Sequence, residues 1–88
     1  MYRVEYDKAA SKQLEKMDKF QAKRITDWVK DNLEGIENPR SIGRKLALKE
    51  LGDWRYKVGD YRILVRILDK EVVIKVVAAG HRRKVYRR

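Results

Sequence analysis

Apolar residues in the first 35 positions recur at the spacing of one helix face. Within 8–17 and within 19–35 they lie three or four positions apart, which predicts two amphipathic helices. Asp7 and Asp18 directly precede these segments, so each carboxylate is expected to cap a helix N-terminus. Gly35 is expected to end the second helix. Because the connection between the helices is short, we expect them to be antiparallel.

A short strand precedes the helices and an irregular segment follows them. The sequence YRVEY at 2–6 alternates and is rich in β-forming residues, which predicts a strand. Residues 36–53 show neither the helical spacing of three to four nor the alternation of a strand, and they contain Pro39, the only proline of the chain. We interpret them as a solvated connecting loop with one short turn within RKLAL at 44–48.

Three apolar-rich runs follow, separated by GD at 59–60 and DK at 69–70. Two-residue separators that contain Gly or Asp are hairpin signals, so the runs predict a three-stranded antiparallel meander. With a turn at 59–60, Lys57 lies opposite Arg62. With a turn at 69–70, the second hairpin places Ile67 opposite Val72, Arg66 opposite Val73 and Val65 opposite Ile74.

Period-two geometry divides the meander into two unlike faces. The apolar face, which the helices can cover, holds Trp54, Tyr56, Val58, Tyr61, Ile63, Val65, Ile67, Val72, Ile74, Val76 and Ala78. The other face holds Arg55, Lys57, Arg62, Arg66 and Lys75, with Leu64, Val73, Val77 and Ala79. The predicted fold is therefore a small α+β domain spanning 1–88, in the order β–α–α–β–β–β, with the meander packed on two N-terminal helices.

The net charge of +10 lies entirely in the second part of the chain. Residues 1–38 hold eight Lys/Arg and eight Asp/Glu, whereas residues 39–88 hold fifteen and five. Segregated charge favours a surface that faces a polyanion. Lys57 opposite Arg62 is the informative pair, because like charges opposite each other on a sheet are destabilising. Ordinary solvated side chains are the alternative interpretation; we favour a face that receives phosphates.

Composition excludes several classes of function. The chain has no cysteine and a single histidine, which rules out disulfides and a thiolate or histidine metal site. No apolar run approaches the roughly 18 residues of a membrane span, and the polar N-terminus predicts no signal peptide. We therefore expect a cytoplasmic protein that needs neither a metal nor another cofactor.

The chain closes with GHRRKVYRR at 80–88, directly after the last apolar run. Gly80 is expected to end the strand and let the chain turn. The strand runs back towards the first hairpin, so the residues after Gly80 emerge beside Lys57 and Arg62. These residues are His81, Arg82, Arg83 and Lys84, with Tyr86 within reach.

The segments WRYKVGDYRILV, GHRRKVY and DKAASKQLEKMD together resemble the RelE branch of the RelE/ParE toxin superfamily. The resemblance covers nearly the whole chain. It implies the toxin of a type II toxin–antitoxin system that enters the decoding site of a translating ribosome and cuts the messenger RNA there. It also implies a cognate, RelB-like antitoxin, and no metal.

The resemblance carries five catalytic residues over to this sequence, and the adjoining cations are expected to contact mRNA and the ribosomal RNA backbone. Two departures stand out: in some members the terminal tyrosine lies two residues further on, and an arginine at 55 replaces a frequent lysine, which makes a general base there less suitable. The expected catalytic residues are Arg55, Lys57, Arg62, Arg82 and Tyr86. The expected RNA contacts are Arg66, Lys75, His81, Arg83 and Lys84.

The expected chemistry is attack of the RNA 2′-hydroxyl on the adjoining phosphate. It requires deprotonation of that hydroxyl, neutralisation of the phosphorane and protonation of the leaving 5′-oxygen. Lys57 is a candidate base, because neighbouring cations favour a neutral lysine. Arg62 and Arg82 would hold the phosphate. Tyr86 could stack on a base or transfer a proton, and His81 is expected at the periphery.

Two other functions fit the same sequence. One is that of the ParE branch, which poisons DNA gyrase and shares the fold but generally lacks the full set of basic residues. The other is a non-catalytic RNA-binding or ribosome-associated protein whose basic face only positions phosphates.

Overall fold

The computed structural model describes residues 1–87. Strand β1 (Arg3–Tyr6) leads into two helices, α1 (Lys8–Lys16) and α2 (Lys19–Asn32). The order β–α–α–β–β–β predicted from the sequence is confirmed, with one additional short strand before the meander. The remaining elements are β2 (Arg44–Lys45), a 3₁₀ turn (Lys49–Leu51), β3 (Trp54–Val58), β4 (Tyr61–Leu68) and β5 (Val73–His81).

Both helices begin where the sequence predicts. The Asp7 carboxylate accepts the Ala10 N–H at 2.9 Å, and the Asp18 carboxylate accepts the Gln21 N–H at 3.2 Å. Side chains of this kind satisfy backbone donors that the first helical turn leaves unpaired. After α2, Gly35 adopts a φ of +82° and its N–H donates to the Tyr2 carbonyl at 2.7 Å. The chain therefore leaves the second helix alongside β1.

The sheet has five strands in the order β1-β5-β4-β3-β2. Strand β1 pairs with β5 in parallel, and all other pairs are antiparallel. The helices cover one face, where Ile25, Val29, Ile63, Ile74 and Val76 are among the buried residues of the main core. The predicted helix-covered meander is thus confirmed.

The prediction of a connecting loop over 36–53 with one short turn at 44–48 was wrong in where it placed regular structure. Residues 44–45 form β2, which pairs with the start of β3, and residues 49–51 form the 3₁₀ turn. Gly43, with a φ of +79°, permits this approach, since a Cβ there would lie 2.4 Å from the Arg55 carbonyl oxygen. A two-residue strand has too few positions for any periodicity, so the pattern could not reveal it.

The first hairpin has the predicted register, with Lys57 opposite Arg62 and Val58 opposite Tyr61. The second does not: residues 69–72 form a four-residue loop, so that Ile67 lies opposite Ile74. Val72 belongs to this loop, with a φ of +56°, and not to the core face. The register error is two residues, and an even shift leaves each β4 side chain on its predicted face.

A bulge in the pairing of β4 with β5, where Val77 is the extra residue of β5 opposite Leu64 and Val65, changes the far end of β5. Ala79 lies opposite Ile63 on the helix-covered face and is buried, whereas Ala78 lies opposite Leu64 on the other face. The sequence assigned these two alanines the reverse way. A β-bulge adds one residue on one strand and so moves all subsequent side chains to the opposite face.

A second, smaller core lies on the face away from the helices. Leu46, Leu64 and Val85 are buried there, with Leu51, Val77 and Ala78 packed against them. The 3₁₀ segment and the C-terminal residues thus cover the middle of a face that the sequence indicated to be open and cationic.

Candidate nucleic-acid interface

The cations of the face away from the helices form two separate groups. Lys57 and Arg62 lie opposite each other beside the 59–60 turn, and Arg66 and Lys75 lie opposite each other near the other end of β4. Arg66 lies four positions after Arg62 on β4, about 13 Å along the strand at the usual rise. One phosphate group cannot contact both pairs.

The Arg66 and Lys75 pair is compensated by its neighbours. The Arg66 guanidinium donates to the carbonyls of Lys49 and Glu50 at 3.3 and 3.4 Å and lies 3.8 Å from the Asp53 carboxylate. Glu5 on β1 is the register partner of Lys75. The structure therefore places these two predicted RNA contacts in a region of mixed charge, away from the other predicted residues.

The Lys57 and Arg62 pair has no comparable compensation. Within residues 1–87 neither side chain forms an ion pair, and Lys57 is exposed. The Arg62 Nη1 atom donates to the carbonyls of Gly59 and Tyr61, both at 3.0 Å, which holds the guanidinium at the turn. A fixed cation beside an exposed one is a suitable arrangement for binding an anion.

Arg55 extends this group towards the sheet edge. It lies opposite Leu64 on β4 and opposite Arg44 on β2, so Arg44 shares its face. Sequence reasoning missed Arg44 because it assigned the residue to a loop. The only available signal was the basic dipeptide at 44–45 itself.

The C-terminal residues fold back over the same end of the sheet. The Arg82 N–H donates to the Asp60 carbonyl at 2.8 Å, which ties the segment to the hairpin turn. Val85 is then 7% exposed in the second core, next to Leu64. Tyr86 follows Val85 and is 37% exposed. The exposed cations Arg82, Arg83 and Lys84 lie in this turn, which we call the C-terminal turn (residues 82–86).

Gly80 does not end the strand, as the sequence suggested. It lies within β5 opposite Arg62, and β5 continues to His81. Val85 packs over it, since a Cβ added at Gly80 would lie 3.6 Å from the Val85 Cβ. The glycine thus lies under the C-terminal turn on the cationic face.

His81 lies on the opposite face from Arg62. It is the register partner of Tyr61, and the two rings meet edge to face with centroids 5.7 Å apart. Its Nδ1 atom accepts the Arg83 N–H at 3.2 Å. The bulge at 64–65 produces this placement, because without it residue 81 would share the face of Arg62.

A model of the ParE toxin family of type II toxin–antitoxin systems (parDE) matches residues 4–86. The chain belongs to this toxin family. The resemblance to the RelE/ParE superfamily inferred from the sequence is therefore confirmed. No curated protein matches the chain significantly by sequence.

Solved structures of RelE toxins share the fold of this toxin. The chain is similar to a chain of the RelBE2 toxin–antitoxin complex from Mycobacterium tuberculosis, with 22% identity, a TM-score of 0.79 and coverage of 91% and 90% of the two chains. It is also similar to a chain of the archaeal RelE–RelB complex from Pyrococcus horikoshii OT3, with 28% identity, a TM-score of 0.66 and coverage of 96% of this chain and 98% of that one. The isolated E. coli RelE toxin is similar with 18% identity, a TM-score of 0.69 and coverage of 92% of this chain and 84% of that one.

Arg24 of α2 is a further cation at the hairpin end of the toxin that sequence reasoning missed. Its guanidinium lies over the turn, where a Cβ on Gly59 would come within 2.7 Å of Nη2. Arg24 and Lys57 line a groove of about 640 Å³ together with Phe20, which is 73% exposed. The hydrophobic pattern of α2 did not indicate Arg24 as a site residue, because Arg24 occupies a position typical of a solvated helix face.

The described part of the toxin contains no group of three or more His, Asp or Glu side chains arranged to hold a metal ion. Likewise, no helix among residues 1–87 has the length and apolarity needed to cross a membrane.

Proposed function

We propose that the toxin is a metal-independent endoribonuclease that cleaves mRNA in the decoding site of the ribosome and so inhibits translation. The observation that carries this proposal is the pair Lys57 and Arg62, which forms no ion pair among residues 1–87 and lies beside the turn to which the Arg82 N–H is bonded. A pair of like charges kept close together without carboxylate partners is best explained by a polyanionic ligand.

Arg62 and Arg82 are the proposed phosphate ligands. A guanidinium has five N–H donors in a fixed fork and binds phosphate oxygens bidentately. Arg62 uses Nη1 on the carbonyls of the turn, which leaves Nη2 and Nε for the ligand. Arginines fixed in this way stabilise the phosphorane without rearrangement during the reaction.

Lys57 and Tyr86 are the proposed proton-transfer and positioning groups. Lys57 is exposed beside Arg62 and would take the proton of the 2′-hydroxyl. Tyr86 would lie beside the cleaved nucleotide, where its ring can stack and its hydroxyl can donate. Attack by the 2′-hydroxyl leaves a 2′,3′-cyclic phosphate and a 5′-hydroxyl end.

The cations around these proposed catalytic residues are proposed to position the RNA backbone. Arg55, Arg83 and Lys84 adjoin it and are the stronger candidates. Arg66 and Lys75 would contribute less, because Asp53 and Glu5 already reduce the local potential. Phosphate contacts of this kind raise the affinity for RNA but do not distinguish one base sequence from another.

The proposed partner is a cognate RelB-like antitoxin that neutralises the toxin in the cytoplasm. Two of the similar structures are complexes of a RelE with a RelB protein or of the RelBE2 pair. We expect the antitoxin to be acidic where it meets the hairpin end, because bound antitoxin must compete with RNA there. Reversing the charges of Arg62 and Arg82 should weaken the complex.

Poisoning of DNA gyrase is the second candidate, favoured by the ParE description of the matching family. Induction of the toxin in cells separates the two candidates. The ribonuclease proposal predicts that incorporation of labelled amino acids falls first and that primer extension on a translated message finds new 5′ ends within codons. Early induction of the DNA-damage response, with translated messages intact, would favour gyrase.

A further inference from the structure

Three consecutive backbone N–H groups of the C-terminal segment donate to one residue. The Arg83 N–H donates to the Nδ1 atom of His81, and the N–H groups of Lys84 and Val85 donate to the His81 carbonyl at 2.8 and 2.9 Å. A side-chain acceptor that takes the N–H two residues later reproduces the Asx turn, which Asn and Asp normally form. His81 thus sets the path of the chain from β5 into the C-terminal turn.

The ring of His81 is held in place by a second contact. It meets the ring of Tyr61 edge to face at 5.7 Å, and Tyr61 in turn packs against the main core. Nδ1 accepts the Arg83 N–H, so in this arrangement Nε2 is the ring nitrogen that carries a proton. A protonated Nδ1 would place a donor against the Arg83 N–H.

The segment that depends on this contact carries proposed catalytic groups. Arg82 precedes the donated Arg83 N–H, and Tyr86 directly follows Val85, which the His81 carbonyl holds against the second core. Among residues 1–87, neither the Arg82 side chain nor the Tyr86 side chain forms a hydrogen bond or an ion pair that fixes its position. Misplacement of a catalytic group by about 1 Å is enough to reduce a rate strongly.

We infer that His81 is a positioning residue that acts from the helix-covered side of the sheet: it holds the C-terminal turn in the geometry that presents Arg82 and Tyr86, and it does not touch the RNA. This inference rests on the proposed ribonuclease function for its kinetic consequence. Its structural part, an Asx-like turn built by a histidine, is independent of that function.

Three variants separate the acceptor from the ring. His81→Asn places an oxygen close to the position of Nδ1 and can form the same turn, while losing most of the ring. His81→Gln is the matched control, because its oxygen lies one bond further out and cannot accept from the residue two positions later. His81→Phe keeps the ring contact with Tyr61 and lacks the acceptor.

The kinetic readout is single-turnover cleavage of ribosome-bound message, measured beside ribosome binding. His81→Asn is expected to stay within about threefold of the wild type, and His81→Gln and His81→Phe are expected to lose roughly tenfold in rate, the scale of one hydrogen bond. Binding should be unchanged in all three. Loss of ribosome binding in His81→Asn would overturn the inference, since it would mean that the ring itself contacts RNA.

The second readout is NMR of the free toxin and needs no activity. We expect His81 nitrogen shifts that identify Nδ1 as a hydrogen-bond acceptor, and slow exchange of the Arg83 amide in the wild type and in His81→Asn only. Fast exchange of that amide in the wild type would overturn the inference directly. If the wild type cleaves no RNA, the proposed function fails, and this measurement still decides whether His81 builds the turn.

Discussion

Lys57 and Arg62 are directly opposite each other on neighbouring strands, and among the described residues neither forms an ion pair. Another like-charged pair on this face, Arg66 and Lys75, has Asp53 and Glu5 beside it. The toxin therefore compensates cationic repulsion at one end of the sheet and retains it at the other. We ascribe the retained repulsion to the binding of phosphate.

Replacing Lys57 by an acid should stabilise the fold while it removes activity. In Lys57→Glu an attractive pair with Arg62 replaces a repulsive one, worth roughly 0.2–1 kcal/mol in the free energy of unfolding at low salt. For a domain of this size that corresponds to a rise in Tm of a few degrees. Thermal unfolding of Lys57→Glu and of the neutral control Lys57→Gln measures the effect, which should shrink at high salt. Equal Tm values for the wild type and the two variants would show that the charge at position 57 has a negligible effect on stability.

Arg82 and Tyr86 should act on the chemical step and not on binding. Arg82→Ala and Tyr86→Phe are expected to lose at least about a hundredfold in single-turnover rate at saturating ribosome, the scale for one preorganised donor. Lys49→Ala is the control: Lys49 lies in the 3₁₀ turn, and its carbonyl bond to Arg66 does not involve its side chain. It should affect affinity at most. A normal cleavage rate in Arg82→Ala would remove Arg82 from the catalytic group.

Val72 should be replaceable with a gain in stability. It has a φ of +56° in the 69–72 loop, a region that β-branched residues strongly disfavour, and its side chain is 37% exposed. Val72→Asn tolerates this conformation and should raise the free energy of unfolding by about 1 kcal/mol, measured by urea unfolding. Val72→Thr keeps the β-branch and should give no gain. A loss of stability in Val72→Asn would mean that the apolar contacts of Val72 outweigh the strain.

Asp69 should make the stability of the toxin depend on pH in the acid range. Hydrogen bonds from Arg40, two at 3.1 Å, and from the Tyr2 hydroxyl at 2.6 Å hold the pKa of Asp69 below its ordinary value of 3.8. A carboxyl with a depressed pKa contributes stability above its unfolded pKa and loses it as the pH falls through the folded value. The difference in stability between wild type and Asp69→Asn should therefore be constant near neutrality and shrink below about pH 4. A pH-independent difference would indicate that the charge of Asp69 contributes nothing.

The sequence predicted what local chemistry determines. The caps at Asp7 and Asp18 and the Gly59-Asp60 turn follow from single residues with strong backbone preferences. The four-residue loop at 69–72 was missed because it depends on a strained Val72, which no propensity favours. Strand β2 depends on Gly43 approaching the Arg55 carbonyl, a contact between segments that the sequence keeps apart.

In the candidate site, too, the sequence predicted local features and missed those that depend on contacts between distant segments. Lys57 and Arg62 were paired correctly because the hairpin is local. The face of the sheet on which His81 lies was not predicted correctly, because the bulge shifts the end of β5 by one residue. Nothing in the sequence indicated this shift, since alanines such as Ala78 and Ala79 fit either face equally well. The anchoring of Val85 against Leu64 was also hidden, because one apolar residue within a basic segment forms no pattern.

The most direct measurement is cleavage of a defined message on purified ribosomes by purified toxin, with chemical analysis of the ends. We predict new fragments cut within the codon in the decoding site, ending in a 2′,3′-cyclic phosphate and a 5′-hydroxyl, in the presence of EDTA concentrations that spare the ribosome, and none with Arg82→Ala. Message that stays intact with wild-type toxin, while the same preparation traps DNA gyrase on cleaved DNA, would contradict the ribonuclease assignment.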